Sequence, residues 1–287
     1  MINVFPLSSL FKVEGNMKEH FLKLYNHCIQ IYDDYRSMVP PYAAAALSYY
    51  LLLILVPAFS LIAVGTSLLK IDMSILENLI ERYIVGDYSA MIIHILESRS
   101  INTVALITII FSFYAVSRGV GNIYEISKKM YQQNIEENFI SYYIYTFKIT
   151  FFLLILFIGI IAVIAMGPLA YLFNYLYSFF GIRHILLYFL MAFCLMAIYL
   201  IVPRIRIHVS DAFQGALVAS ALMLVLYYGL NIYFRYANFQ SVYGPLALVV
   251  MILFVFDWAA EIFYIGMYIT NILHVRRVED EKRKNRN

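Results

Sequence analysis

Charge is scarce in this chain. Only 14% of its 287 residues are Asp, Glu, Lys or Arg, against about 25% in soluble domains. With 63% hydrophobic residues, that excludes an ordinary soluble domain and leaves a polytopic membrane protein. Cysteine is nearly absent. Cys28 and Cys194 lie in different segments with no CxxC spacing, which excludes a disulfide framework and a thiolate metal site and leaves two small apolar fillers. The six histidines are dispersed, with no HExxH pair, and neither GxSxG nor a P-loop occurs. Metalloprotease, serine hydrolase and P-loop chemistry therefore have no motif to stand on, and no cofactor is expected. Residues 1–20 hold no continuous apolar core of a signal peptide, so the expectation is that the first span directs insertion.

What the chain has in plenty is long apolar runs. Six are long enough for spans, since a bilayer needs about 20 apolar residues: 42–69, 101–121, 147–174, 184–202, 211–235 and 243–274. The expected fold is an all-α integral membrane protein with six transmembrane helices (42–274), a cytoplasmic amphipathic segment before them (1–41) and a charged, disordered tail after them (275–287). In the first segment Met17, Phe21, Leu24, Cys28, Ile31 and Tyr35 form one helical stripe, suited to a membrane surface or to a soluble partner. Pro40-Pro41 ends it. Between the first two spans, residues 70–100 carry recurrent charges and read as two short in-plane helices on the extracytoplasmic side. Residues 122–146 read as a polar, tyrosine-rich loop. Ser210 and Asp211 read as N-cap residues for the fifth span.

Lysine and arginine set the orientation. With six spans, 16 of the 21 fall on the side holding both termini, so both termini are expected in the cytoplasm. An odd number of spans would part the two basic ends.

The sixth span, YGPLALVVMILFVFDWAAEIFYIGMYITNILH, carries two carboxylates, Asp257 and Glu261. Four residues apart, they share one helical face. A carboxylate facing lipid costs roughly 2.5–3.5 kcal/mol on insertion scales, so both should face protein, a partner charge or a water-filled cavity. The functional reading is a proton or cation relay, or a site for a cationic group. The structural reading is a polar pair neutralised by a neighbouring base. Depth names the candidate base. If spans 2 and 6 enter from the same side, Glu261 lies about 24 Å in and Arg118 about 25 Å in, at 1.5 Å per residue.

Helix-breaking residues mark a possible substrate path: Pro57 in span 1, Gly159 and Gly167-Pro168 in span 3, and Gly244-Pro245 at the start of span 6. Broken helices free backbone groups for binding, although kinks are also common in membrane helices. Arg204, Arg206 and His208, with Lys128 and Lys129, form cytoplasmic basic groups that either bind lipid phosphates or only obey the positive-inside rule. The 26 tyrosines either anchor the interfaces or line a polar cavity.

Several of these stretches together resemble the YihY/BrkB family of six-span bacterial membrane proteins. The residues carrying the resemblance are AAALSYY at 44–50, with Tyr49, then Pro57; Ser117-Arg118-Gly119 with Asn122 and Tyr124; Pro203; Gln214-Gly215; Tyr243-Gly244; Trp258; and Gly266. The resemblance spans about residues 30–275. It implies a bacterial cytoplasmic membrane and an all-helical bundle. Members have carried the label ribonuclease BN. This chain has no metal-ligand cluster and no soluble basic groove for RNA, so neither nuclease activity nor a nucleic-acid partner is expected. The resemblance implies instead a transporter or flippase-like protein for an amphipathic or lipid-linked substrate, with membrane lipids as partners. A non-catalytic membrane scaffold or envelope-assembly partner is the alternative, and an intramembrane enzyme a third reading. Oligomeric state is left open. In one respect the chain departs from the family, which usually has a small residue and then an acid after the glycine near the end of span 6. Here the run is Gly266-Met267-Tyr268, with Glu261 two turns earlier on nearly the same face as a candidate replacement.

Overall fold

The computed structural model describes residues 25–26, 29–53, 103–133, 138–165, 180–236 and 244–284. Regular structure among the described residues is entirely helical. The chain divides into two compact units, Met1–Pro41 and Tyr42–Asn287.

In the first unit, α1 (29–38) is held by local contacts. The Arg36 guanidinium sits 5.3 Å from the ring centroids of both Tyr32 and Tyr35, and its Nε donates to the Tyr32 hydroxyl at 3.2 Å. Of the expected apolar stripe, only Ile31 and Tyr35 are described; Ile31 is exposed and Tyr35 buried. The rest of the stripe lies outside the described residues.

The next helix, α2 (Pro41–Leu53), opens on a proline. That suits a first helical position, where the missing N–H has no partner to lose. Ala43, Ala44, Leu47 and Ser48 are buried. Pro57, the in-plane helices of 70–100 and the Gly167-Pro168 break lie outside the described residues.

Among the described residues five longer helices follow: α3 (Thr103–Met130), α4 (Phe139–Ala165), α5 (Phe180–Ile201), α6 (Val209–Tyr236) and α7 (Gly244–Lys284). Among the described residues, three helices are long and apolar enough to cross a membrane, over Phe139–Leu156, Val209–Tyr233 and Val250–Lys284; Pro41–Leu53 and Tyr188–Ile201 are shorter apolar helices.

The side-chain contacts fix helix directions. Phe113 stacks on Phe147 at 5.5 Å while, further along α3, Tyr124 meets Tyr142 at 6.1 Å, so α3 and α4 are antiparallel. The α6–α7 contacts pair Asp211 with Arg277, Gly215 with Thr270, and Ala219 with Gly266; these helices are also antiparallel. Between α3 and α7 the order is preserved. Tyr264 Oη donates to Asn122 Oδ1 at 2.5 Å, and Asn271 Nδ2 to the Met130 carbonyl at 3.2 Å. The two helices therefore run parallel, as expected if both enter from the same side.

Two local expectations are corrected. Residues 122–130, expected as loop, continue α3 to Met130. Ile123, Tyr124, Ile126, Ser127 and Met130 are all buried there, so packing holds the extra turns where composition alone suggests a loop. The charged segment after 275, expected as a disordered tail, continues α7 as helix to Lys284. Glu279 and Asp280 precede Arg283 and Lys284 by four residues, the favourable orientation for helical ion pairs. Lys282, Arg283 and Lys284 occupy the last turn, where the helix dipole favours cations. At 41 residues, α7 is about 60 Å long, twice the roughly 30 Å hydrocarbon core.

Candidate functional site

Tyrosines are the largest fully buried side chains among the described residues. Tyr124, Tyr199 and Tyr264 are fully buried. A buried phenol needs a partner for its hydroxyl. Tyr199 finds one in the Phe263 carbonyl at 2.8 Å and Tyr264 finds one in Asn122. The Tyr199 contact depends on Gly266. A Cβ there would strike the Tyr199 hydroxyl and come within 2.6 Å of Ala219 Cβ. The facing Gly215 is equally constrained, because a Cβ would lie 2.5 Å from the Gly266 carbonyl and would collide with Thr270 Oγ1. Small residues let membrane helices approach closely, and this pair is the tight point of α6 against α7.

Asp257 and Glu261 are both half-buried. On α7 they extend a stripe that continues through Tyr264, Tyr268 and Asn271, at intervals of three or four residues. Tyr264 and Asn271 reach α3, so the stripe meets α3 over that part of its length. Arg118 lies on α3 near the level of Glu261. The two are 143 positions apart, and the observed α3–α7 bonds have offsets of 142 and 141. Arg118 and Glu261 thus lie near one level, as counting inward from a common side expects, while the hydrogen bond that Arg118 makes goes to α4. Arg118 Nη1 donates to the Tyr143 hydroxyl at 3.1 Å. The guanidinium turns toward α4, where a phenol meets it without a second desolvated charge. Asn122, one turn further on, makes the bond to α7.

The remaining candidates are spread out. Tyr49 is exposed, its ring 5.8 Å from that of Tyr50. Gly244 begins α7. Pro57 and Tyr243 lie outside the described residues. Trp258 is 59% exposed and lines a groove of about 1010 Å³ between α6 and α7. The groove is apolar; Leu222, Val225 and Leu226 line it from α6 and Phe254 and Ile262 from α7. Asp257 and Glu261 are not among its lining residues. Each lies one position before a groove residue, about 100° around the helix. Among the described residues α7 thus has two different faces, one bordering an open apolar groove and one carrying Asp257 and Glu261 in line with the Tyr264 and Asn271 contacts to α3.

Of the basic groups, Arg204 and Arg206 are exposed. Arg204 lies 3.9 Å from the Tyr145 ring centroid, a cation–π distance. Tyr145 in turn donates to the Val202 carbonyl at 3.3 Å. Lys128 lies 5.7 Å from the Tyr124 ring centroid, and Lys129 is exposed. Among the described residues, no group of three or more His, Cys, Asp or Glu side chains converges as a metal site would need.

Sequence reasoning missed an ion pair. Asp211 is 2% exposed, and the Arg277 guanidinium grips both its oxygens, with Nη2 to Oδ1 at 2.6 Å and Nε to Oδ2 at 3.0 Å. The expected N-cap role is not what Asp211 plays. α6 begins at Val209, and the Asp211 and Ala212 amides close the first turn on the His208 carbonyl. The Asp211 side chain is thereby free to reach Arg277. The available signal was an acid opening an otherwise apolar helix.

Nearby, the Tyr131 hydroxyl, the His274 Nδ1 and both amide atoms of Gln133 are buried with no hydrogen-bond partner among the described residues. An unmet buried polar group costs about 1–3 kcal/mol. Burial, and after it the charge of Asp211, push the Tyr131 phenol above its ordinary range.

A family model described as virulence factor BrkB matches residues 31–287. No curated protein and no solved structure matches the chain.

Proposed function

The chain belongs to the virulence factor BrkB family, and on that premise we propose that it is a membrane transporter or flippase-like protein for an amphipathic or lipid-linked substrate. One observation carries this reading. Neighbouring positions on α7 offer two environments: the Trp258 face borders a large apolar groove, and the Asp257–Glu261 face follows the polar stripe that bonds α3. A molecule with an acyl part and a polar head needs both. Arg118 and Asn122 then belong to the polar path. Arg204, Arg206, Lys128 and Lys129 meet lipid phosphates at the basic end. The proposed topology has six spans in a bacterial cytoplasmic membrane, both termini inside, and no ribonuclease activity. The opposed directions of α3 and α4 and of α6 and α7, with α3 parallel to α7, fit that topology.

A second reading has one observation in its favour. The helical continuation of α7 to Lys284 offers a charged arm to a partner protein, as a scaffold would.

Reconstitution into liposomes with labelled phospholipids and lipid-linked glycans separates the two. Transport requires faster transbilayer movement in vesicles holding the wild-type protein, reduced by Glu261→Gln. Equal movement in protein-containing and empty vesicles rejects it.

A further inference from the structure

We propose that an internal water site lies between the end of α3 and α7, held by the Tyr131 hydroxyl and His274 Nδ1 beside the Asp211 carboxylate. It is independent of the transport reading. The two rings are neighbours, with centroids 6.3 Å apart and planes at 77°. Both polar atoms are buried, and neither has a hydrogen-bond partner among the described residues. Both Asp211 oxygens are engaged by Arg277, so Asp211 acts on the phenol through its charge. The bond from Asn271 to the Met130 carbonyl joins α3 to α7 one turn before His274. Gln133, two residues beyond Tyr131, adds two further buried amide atoms without a partner.

The chemistry of these groups selects the ligand. A phenol and an imidazole nitrogen on neighbouring rings are together best met by a molecule that can both donate and accept. An anion would face the charge of Asp211, and a cation would face Arg277. A small neutral molecule avoids both penalties, and water with two to four polar partners is the usual occupant of such a place. There it would tie the end of α3 to α7 through a bridge that direct contact does not supply.

X-ray hydroxyl-radical footprinting of the intact solubilised protein tests this, because radicals form at bound water even where bulk solvent cannot reach. Tyr131 and His274 should be labelled severalfold more than Tyr145 and Tyr188, which are half-buried like them but have hydroxyls bonded directly to protein. Labelling of Tyr131 and His274 as low as that of Tyr145 and Tyr188 overturns the proposal. Tyr131→Phe gives a second test with opposite signs. Removing a bridged hydroxyl lowers Tm and reduces labelling of His274. Removing a hydroxyl from a dry site raises Tm, which also overturns it. If Tyr131→Phe does not fold, footprinting of the wild type still decides.

Discussion

α6 and α7 meet in two different ways along their length. At the end holding the α6 N-terminus, two glycines bring the backbones together and Arg277 clamps Asp211. At the other end the same helices part around a groove of about 1010 Å³ lined by leucines, Phe254 and Trp258. The difference follows from the surroundings. Lipid tails are as apolar as leucine, so nothing hydrophobic draws two leucine-rich faces together in a bilayer; close contact needs small residues or polar bonds. Where Gly215 and Gly266 supply the first and Asp211 the second, the pair closes. Where large side chains face each other, it opens.

The largest test of this contrast is to spoil the closed end. Gly215→Ala places a methyl against the Gly266 carbonyl and should destabilise by about 1–3 kcal/mol, the usual cost of overpacking, read as a lower Tm in detergent. A smaller effect is expected at the ion pair, with a definite asymmetry. Arg277→Gln leaves Asp211, only 2% exposed, as a buried charge without its partner; Asp211→Asn leaves Arg277, 37% exposed, able to turn to water. Arg277→Gln should therefore lower Tm more than Asp211→Asn, and the reverse order would mean that the clamp does not hold the helices. Tyr264→Phe removes the bond to Asn122 and should cost about 1 kcal/mol, with α3 rather than α6 losing protection in hydrogen exchange. The smallest effect belongs to the open end. A Cβ at Gly229, which lines the groove, meets nothing within 4 Å. Gly229→Ala should raise stability by at most about 1 kcal/mol through helix propensity alone. A large loss there would mean that the groove is closed.

These contacts also show what a single sequence can convey. Membrane class, helical content and the approximate ends of α5 and α6 follow from apolar runs and from Pro203. The relative register of α3 and α7 follows from counting residues inward from a common side, which is why Arg118 and Glu261 lie near one level. Rotation about the helix axis is not contained in that count, so the level of Arg118 is legible in the sequence while its bond to Tyr143 on α4 is not. Asp211 shows the same limit. Its neighbours suggest a cap, whereas its partner is 66 positions away and is specified only by the packing of Gly215 on Gly266. The helical tail was misjudged for another reason. Charge density suggests disorder, but the four-residue spacing of Glu279 with Arg283 and Asp280 with Lys284 supports a helix that α7 has already nucleated.

The polar face of α7 is the claim on which the functional proposal rests. Spin labels at Cys-substituted positions 257, 258 and 261, in bilayers, measure it through collision with dissolved oxygen, which concentrates in hydrocarbon. The expected result is high oxygen accessibility at 258 and low accessibility at 257 and 261. Labels at 257 and 261 as accessible to oxygen as the one at 258 would place both carboxylates against acyl chains and contradict the proposal.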